Sequence, residues 1–235
     1  MIRYSTLRKK PKDLLALTGL SRREVDELLP VFAQSLPPPG KRRKRRQRAP
    51  GGGRKPALPT AADKLVFILV YMKAYPLQAV QAQLFGMSQP SANRYIRQLL
   101  PVLAQALDTL GVMPERDGPA VAQHERRQGE TQDLIIDGVE RRRQRPKHRE
   151  IQAIHYSGKK KAHTDKNVVV VNTQTKRVSF LSKTLPGSVH DKKVAEHVRI
   201  RYPKDATLRS DLGLLGYTPD VREHLQPKKS PRARS

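Results

Sequence analysis

Two aspartates stand out by position. Asp137 closes the apolar run Leu134-Ile135-Ile136, and Asp211 closes Thr207-Leu208-Arg209-Ser210. If both runs are strands and the strands are neighbours, the carboxylates converge at one edge of a sheet. Two carboxylates that close repel each other unless a cation is present, and oxygen-only ligation suits Mg²⁺ or Mn²⁺. A pair of such ions activates a water or a 3′-hydroxyl and stabilises the leaving oxygen of a phosphodiester. A strand-end aspartate also forms turns by bonding its own backbone, so the pair alone leaves both readings open. Between the two acids lie Arg141, Arg142 and Arg143, then Arg145, Lys147 and Arg149, and then Lys159, Lys160 and Lys161. An acidic pocket inside a basic rim is the charge layout of a nuclease working on a phosphate backbone. A basic surface that only coats nucleic acid is the rival reading, and it has no use for the acids. The seven histidines are scattered, with no pair at zinc-binding spacing, and His190-Asp191 is expected near the site in a structural role.

A second chemical signal lies upstream. Leu77–Phe85, the turn Gly86-Met87-Ser88 and the run from Gln89 have a helix-turn-helix rhythm, with Ser88 expected to cap and Pro90 in the first turn. Ile96, Leu99, Leu100, Leu103 and Leu107 form the buried stripe of the second helix. Gln89, Ser91, Asn93, Arg94 and Arg97 then face outward, and their amide, hydroxyl and guanidinium groups suit base edges and phosphates. An ordinary helical hairpin with a polar outer face fits the same pattern.

The elements that must position these residues differ between the two halves. In the first, Asp13–Leu36 reads as helical, with Ser21 and Glu24 in a capping box and Val25, Leu28, Leu29 and Phe32 on one face. Residues 1–40 form an N-terminal helical segment, 41–59 a disordered basic linker built on KRRKRRQRAPGGGR, and 60–110 the helix-turn-helix domain. Asp108–Gly129 is turn-rich and reads as a connection. From 130 to 235 the pattern turns to short strands, a hairpin over Val168–Leu181, a helix at Asp191–Val198 and a further strand into Asp211. The fold class is therefore α/β, a helical domain followed by a mixed-sheet domain.

Composition excludes several classes. The 235 residues hold 47 Lys+Arg against 21 Asp+Glu, a net charge of +26, far above the roughly 2–8 of an ordinary small domain, so a polyanionic partner is required. Without cysteine there are no disulfides, thiolate zinc sites or cysteine nucleophile. The apolar run through Leu65–Tyr71 is far short of the roughly 20 residues that span a bilayer, and MIRYSTLRKKPKD has no apolar stretch of a secretory signal. No membrane is expected as a partner, and the expected location is the bacterial cytoplasm, at the nucleoid.

LIIDGVERRRQRP, HYSGKKKAHTDKN, SKTLPGSVHDKKVAE and SDLGLLGY stand in order. They resemble the transposases of bacterial insertion sequences in the "IS five", Harbinger-like group of DDE endonucleases. LTGLSRREVDELLPVF and VFILVYMKAYPLQAVQAQLFGMSQPSANRYIRQLLPVL are similar to the same group's N-terminal helix-turn-helix module. The resemblance implies an RNase H-like catalytic domain in which Asp137 and Asp211 are the first two carboxylates of a metal-binding triad holding Mg²⁺ or Mn²⁺. It also implies double-stranded DNA partners (terminal inverted repeats and target) and a homodimer. Asp191, in the Pro186–Asp191 motif, is not assigned to the metal. The group's third acid, a glutamate on a later helix, has no counterpart: 24 residues follow Asp211, and Glu223 lies in no matching context. The catalytic domain is thus expected to be truncated, leaving either a DNA transposase with a depleted site or an inactive DNA-binding product that represses transposition.

Overall fold

The computed structural model describes residues 1–37, 56–128 and 133–227. The basic stretch Lys41–Arg54 lies outside the described residues. The chain divides into two units, Met1–Val112 and Met113–Ser235.

The first unit is helical: α1 (Tyr4–Leu7), α2 (Pro11–Thr18), α3 (Arg22–Ser35), α4 (Ala61–Ala74), α5 (Gln78–Phe85) and α6 (Gln89–Thr109). Local chemistry sets most of the boundaries. Ser21 Oγ accepts from the Glu24 amide while Glu24 accepts from the Ser21 amide, closing the reciprocal cap of α3. Thr60 caps α4 through the Asp63 amide. Gly86 ends α5 in the left-handed region, φ 63°, which permits the sharp turn into α6. Ser88 behaves differently from expectation. It sits at the N-cap of α6 with extended backbone, but its hydroxyl meets Ser91 Oγ at 3.0 Å rather than a backbone amide. Helix α4 is the hub, buried continuously from Leu65 to Tyr71 because helices pack on it from several sides. Val25, Leu28 and Phe32 of α3 and Ala92, Ile96, Leu99 and Leu103 of α6 complete one core with it, so α1–α3 and α4–α6 share a single interior. Leu100 and Leu107 of the expected stripe are only partly buried. Pro101 lies within α6 without ending it, flanked by the buried Leu99, Val102 and Leu103.

The second unit begins earlier than its strands. The expected connection at Asp108–Gly129 is partly structural: Glu115 exchanges backbone hydrogen bonds with Ser179 and Leu181. A short helix α7 (Val121–Gln128) buries Val121 and brings the buried Glu125 to Asn172. The sheet contains β1 (Asp133–Arg142), β2 (Tyr156–Ser157), β3 (Ala162–Asn172), β4 (Val178–Leu181), β5 (Leu185–Pro186), β6 (Thr207–Ser210) and β7 (Glu223–Leu225), with α8 (Arg149–His155) before β2 and α9 (Asp191–Val198) before β6. Its order is β2-β3-β1-β6-β7, with β4 and β5 also on β3. Strand β1 pairs antiparallel with β3 and parallel with β6. This is the mixed-sheet α/β domain expected from the sequence. Leu134, Ile136, Val168, Val170 and Leu208 pack against Val194 and Ala195 of α9, while Ile135, Asp137 and Val139 on the alternate face of β1 stay exposed.

Ser21→Ala removes one half of the α3 cap and is expected to destabilise the helical unit by about 1 kcal/mol. A urea titration followed by far-UV circular dichroism should read this as a lower midpoint.

Candidate functional site

The site is created by unequal pairing on the two sides of β1. Against β3 the ladder runs from Leu134↔Asn172 to Arg142↔Thr164. Against β6 it stops at Ile136↔Ser210. Asp137 is therefore not at the end of its strand, as the apolar run suggested, because β3 holds β1 extended for five more residues. It is at the end of one ladder only. Asp137 and Asp211 are the residues immediately beyond the last β1–β6 pair, on neighbouring parallel strands. Both are exposed. Asp137 Oδ1 accepts from the Gly138 amide at 2.7 Å. Asp211 Oδ1 accepts from the Gly213 amide at 2.9 Å and caps a turn at Leu212–Leu214. The turn-forming role of a strand-end aspartate is thus present at Asp211, and it leaves the second carboxylate oxygen outside that bond.

Asp191, expected near the site in a structural role, lies close to Asp211. Asp191 opens α9, where His190 Nδ1 caps by accepting from the Lys192 amide. A Cβ on Gly138 would fall 2.5 Å from Asp191 Oδ1, and a Cβ on Gly213 would fall 3.1 Å from both Asp191 Oδ2 and Asp211 Oδ1. The Asp191 carboxylate thus occupies the gap that opens where β6 leaves β1. Its Oδ1 is buried. Lys166 Nζ pairs with it at 3.0 Å and also donates to the Val189 carbonyl at 2.7 Å. That lysine side chain is only 7% exposed.

Nearby, Thr164 Oγ1 donates to Glu140 at 2.6 Å. Burial pushes the Glu140 carboxyl up, but hydrogen bonds from Ser157 and Thr164 and the charges of Lys166 and Lys160 outweigh it, so the group titrates below the ordinary glutamate value.

In kind, the carboxylate oxygens of Asp137 and Asp211, on neighbouring strands, suit a divalent cation. Among the described residues, no three His, Cys, Asp or Glu side chains are already arranged around one ion.

The basic residues separate by face. Arg141 donates to Asn167 Oδ1 at 2.9 Å, and Arg143 is engaged by Asp165 at 2.9 Å. Both lie on the Asp137 side of β1, while Arg142 alternates to the other. Lys159, Lys160 and Lys161 are exposed in the turn between β2 and β3. In the helical unit, Gln89, Asn93 and Arg97 fall on one line of α6 at intervals of four. The Gln89 and Asn93 amides both donate to Gln78 Oε1 at 2.9 Å, tying α6 to α5. Arg94 and Arg97 are exposed. Ser91 and Arg94 line a cavity of about 660 Å³ with Arg3 and Tyr95.

Residues 56–109 match the family model for the helix-turn-helix of DDE superfamily endonuclease, and residues 136–211 match that for DDE superfamily endonuclease. The chain is a DDE superfamily endonuclease in its domain make-up. No curated protein and no solved structure matches it significantly. The endonuclease match opens one residue before Asp137 and closes on Asp211, so the segment joining the two carboxylates is the superfamily's own. DDE endonucleases normally use divalent metal ions. Among the described residues of this endonuclease, no helix is long and apolar enough to cross a membrane.

Gly138→Ala places a methyl group against a carboxylate held by a buried lysine, and overpacking of this kind costs about 1–3 kcal/mol; urea denaturation of the variant should show that loss. Glu140 should contribute to pH dependence. Because its folded pKa is depressed, its stabilisation is complete above the unfolded value of 4.5 and is lost as pH falls through the lower folded value. Glu140→Gln should therefore flatten the fall in melting temperature on acidification below about 4.5.

Proposed function

We propose that this endonuclease is a DNA transposase of the IS five, Harbinger-like insertion-sequence group. The helix-turn-helix unit binds the terminal inverted repeats of the element, and the second unit carries out metal-dependent cleavage and strand transfer. The observation that carries the reading is the end of the β1–β6 ladder at Ile136↔Ser210, which leaves Asp137 and Asp211 side by side within the family-matched segment.

Asp137 and Asp211 would hold Mg²⁺ or Mn²⁺ through their carboxylate oxygens. When bound, such an ion supplies Lewis-acid polarisation of the scissile phosphodiester. The protein's own groups do the rest. Arg141 and Arg143, on the Asp137 side of β1, and the exposed Arg142 and Lys159–Lys161 attract the DNA backbone and fix its register without reading bases. On α6, Arg94 and Arg97 are the exposed cations, and Gln89, Ser91 and Asn93 present hydrogen-bonding groups for base edges. The bonds from Gln89 and Asn93 to Gln78 reduce the conformational freedom those side chains must lose on binding. A homodimer would place two such units on the two inverted repeats, since protein two-fold symmetry mirrors that of the site. Such a protein acts at the bacterial nucleoid.

The test uses the purified full-length chain, duplexes carrying the inverted repeats that flank its gene, and Mg²⁺. The expected outcome is repeat-selective binding with nicking at the element ends. Asp137→Asn and Asp211→Asn should lower nicking by about a hundredfold or more while leaving binding intact. Arg94→Ala combined with Arg97→Ala should weaken binding and reduce its log–log salt slope by about 0.9 for each phosphate that is no longer neutralised. Nicking that survives Asp211→Asn overturns the catalytic assignment. Repeat-selective binding with no nicking by the wild-type chain replaces it with a repressor that occupies the repeats.

A further inference from the structure

We propose that the open cavity between α8 and the β2–β3 edge takes one unpaired nucleotide of a DNA strand. Tyr156 stacks on its base, and Arg145 and Arg149 hold its phosphate. The proposal rests on the reading of the second unit as a DNA-cutting unit and adds a place for a strand that has left the duplex.

The cavity, of about 570 Å³, is lined by Arg145, Arg149, Gln152, Ala153, Tyr156 and His163. Tyr156, 46% exposed, meets His163 edge to face with ring centroids 5.7 Å apart, and with Ala153 they form an apolar, aromatic wall. The two guanidinium groups are the charged part. Arg145 Nε and Nη2 both donate to Gln152 Oε1, at 3.2 and 3.0 Å, and Gln152 donates to the Pro146 carbonyl at 2.8 Å. The Arg145 plane is thus held by neutral groups, with its charge unspent and N–H donors to spare. Arg149 is exposed, and among the described residues neither arginine pairs with an acid. Helix α8 itself buries no residue. It is held at the sheet by Gln152 and by His155, which lies 3.0 Å from Asp165, so its outer surface is left to a partner.

Charge decides what that partner is. From Arg141 to Lys161 the chain carries nine Lys and Arg against one acid, Glu150. A second copy of the chain docked on this face would set the same cations against one another, so self-association here is opposed. A phosphate chain is attracted. Duplex DNA, however, shows phosphates and groove edges along its length and no base face to lay on an aromatic wall. Unpaired bases do show their faces. Stacking on aromatic side chains beside a basic groove is how single strands are held, and it tolerates any base because each has a π-face.

Position links the cavity to Asp137. Residues directly opposite in an antiparallel pair share a face, so Asp137 and Val169, Val139 and Asn167, and Arg141 and Asp165 face together. Arg143 and His163 come next on that face, joined by the Arg143 amide to the His163 carbonyl at 2.9 Å, and Tyr156 of β2 pairs with His163. From Val169, the partner of Asp137, to His163 is six residues of strand, about 20 Å. Arg141 and Arg143 stand along that path. A strand freed near Asp137 therefore crosses a basic face, held rigid by the β1–β3 ladder, before it meets Tyr156.

The experiment uses the full-length chain in EDTA with a short labelled oligothymidylate, read by fluorescence anisotropy. Tyr156→Ala should weaken binding by about tenfold, and Tyr156→Phe should keep the wild-type affinity. The chain contains no tryptophan, so Tyr156→Trp puts a single indole reporter at the cavity. Its emission should be quenched by oligothymidylate and far less by a blunt duplex with the same number of phosphates. Arg145→Ala combined with Arg149→Ala leaves the ring in place and should reduce the log–log salt slope by about 0.7 for each phosphate that is no longer neutralised. If Tyr156→Ala fails to fold, the indole emission and the salt slope decide. Wild-type affinity in a folded Tyr156→Ala, equal quenching by duplex and single strand, or an unchanged salt slope overturns the inference. The two failures are distinguishable, because strand binding is measured without metal and the endonuclease reading by nicking with Mg²⁺. If nicking is present and strand binding ignores Tyr156, only the strand site falls. If nicking is absent and strand binding depends on Tyr156, the endonuclease reading falls and the strand site stands.

Discussion

Everything at the site depends on β1 being paired to different lengths on its two sides. The antiparallel ladder with β3 continues to Arg142, and the parallel ladder with β6 ends at Ile136. An even sheet would have buried the backbone beside Gly138 in a third strand and left Asp137 as one more alternate side chain. The early departure of β6 opens a gap against a strand that stays rigid, because β3 still holds it. Side chains mounted on rigid strands at such a gap keep their positions at little entropic cost. The capped turn at Asp211 and the helix start at Asp191 are the two other walls of that gap.

The charge of the chain has to be understood at two scales. The excess of 26 positive charges acts at long range and draws any polyanion. Within the second unit the charges are sorted: Lys166 is buried against Asp191, Arg143 is committed to Asp165, and the lysines of the β2–β3 turn are exposed. Only the last kind contributes to general affinity, whereas a buried ammonium sets the local environment of a carboxylate. A single net charge conceals that division.

In the helical unit the same economy applies to α6. Its buried stripe anchors it against α3 and α4, and its opposite line carries Gln89, Asn93 and Arg97. Gln78 of α5 holds two of these amides at once, so the turn at Gly86 fixes more than the angle between helices. It also places an acceptor that orders the polar face before any ligand arrives.

Much of this protein is legible in its sequence, wherever the controlling interactions are local. The capping box of α3, the glycine turn before α6, the hairpin after β3 and the helix at Asp191–Val198 could be read because each depends on residues within a few positions of one another. Asp137 and Asp211 were legible as a pair from the runs that they close, and as catalytic candidates from the motifs around them. Where β1 ends was not legible, since that depends on β3, whose paired residues follow more than twenty positions later in the chain. Nor did local pattern show that Ser88 turns to Ser91 instead of capping, or that α1–α3 share a core with α4–α6. Asp191 was expected near the site, but the residues that enclose its carboxylate were not legible. It stands at the site because the folded chain brings Gly138, Gly213 and Lys166 around its carboxylate, an arrangement of residues too far apart in sequence for any local pattern to reveal.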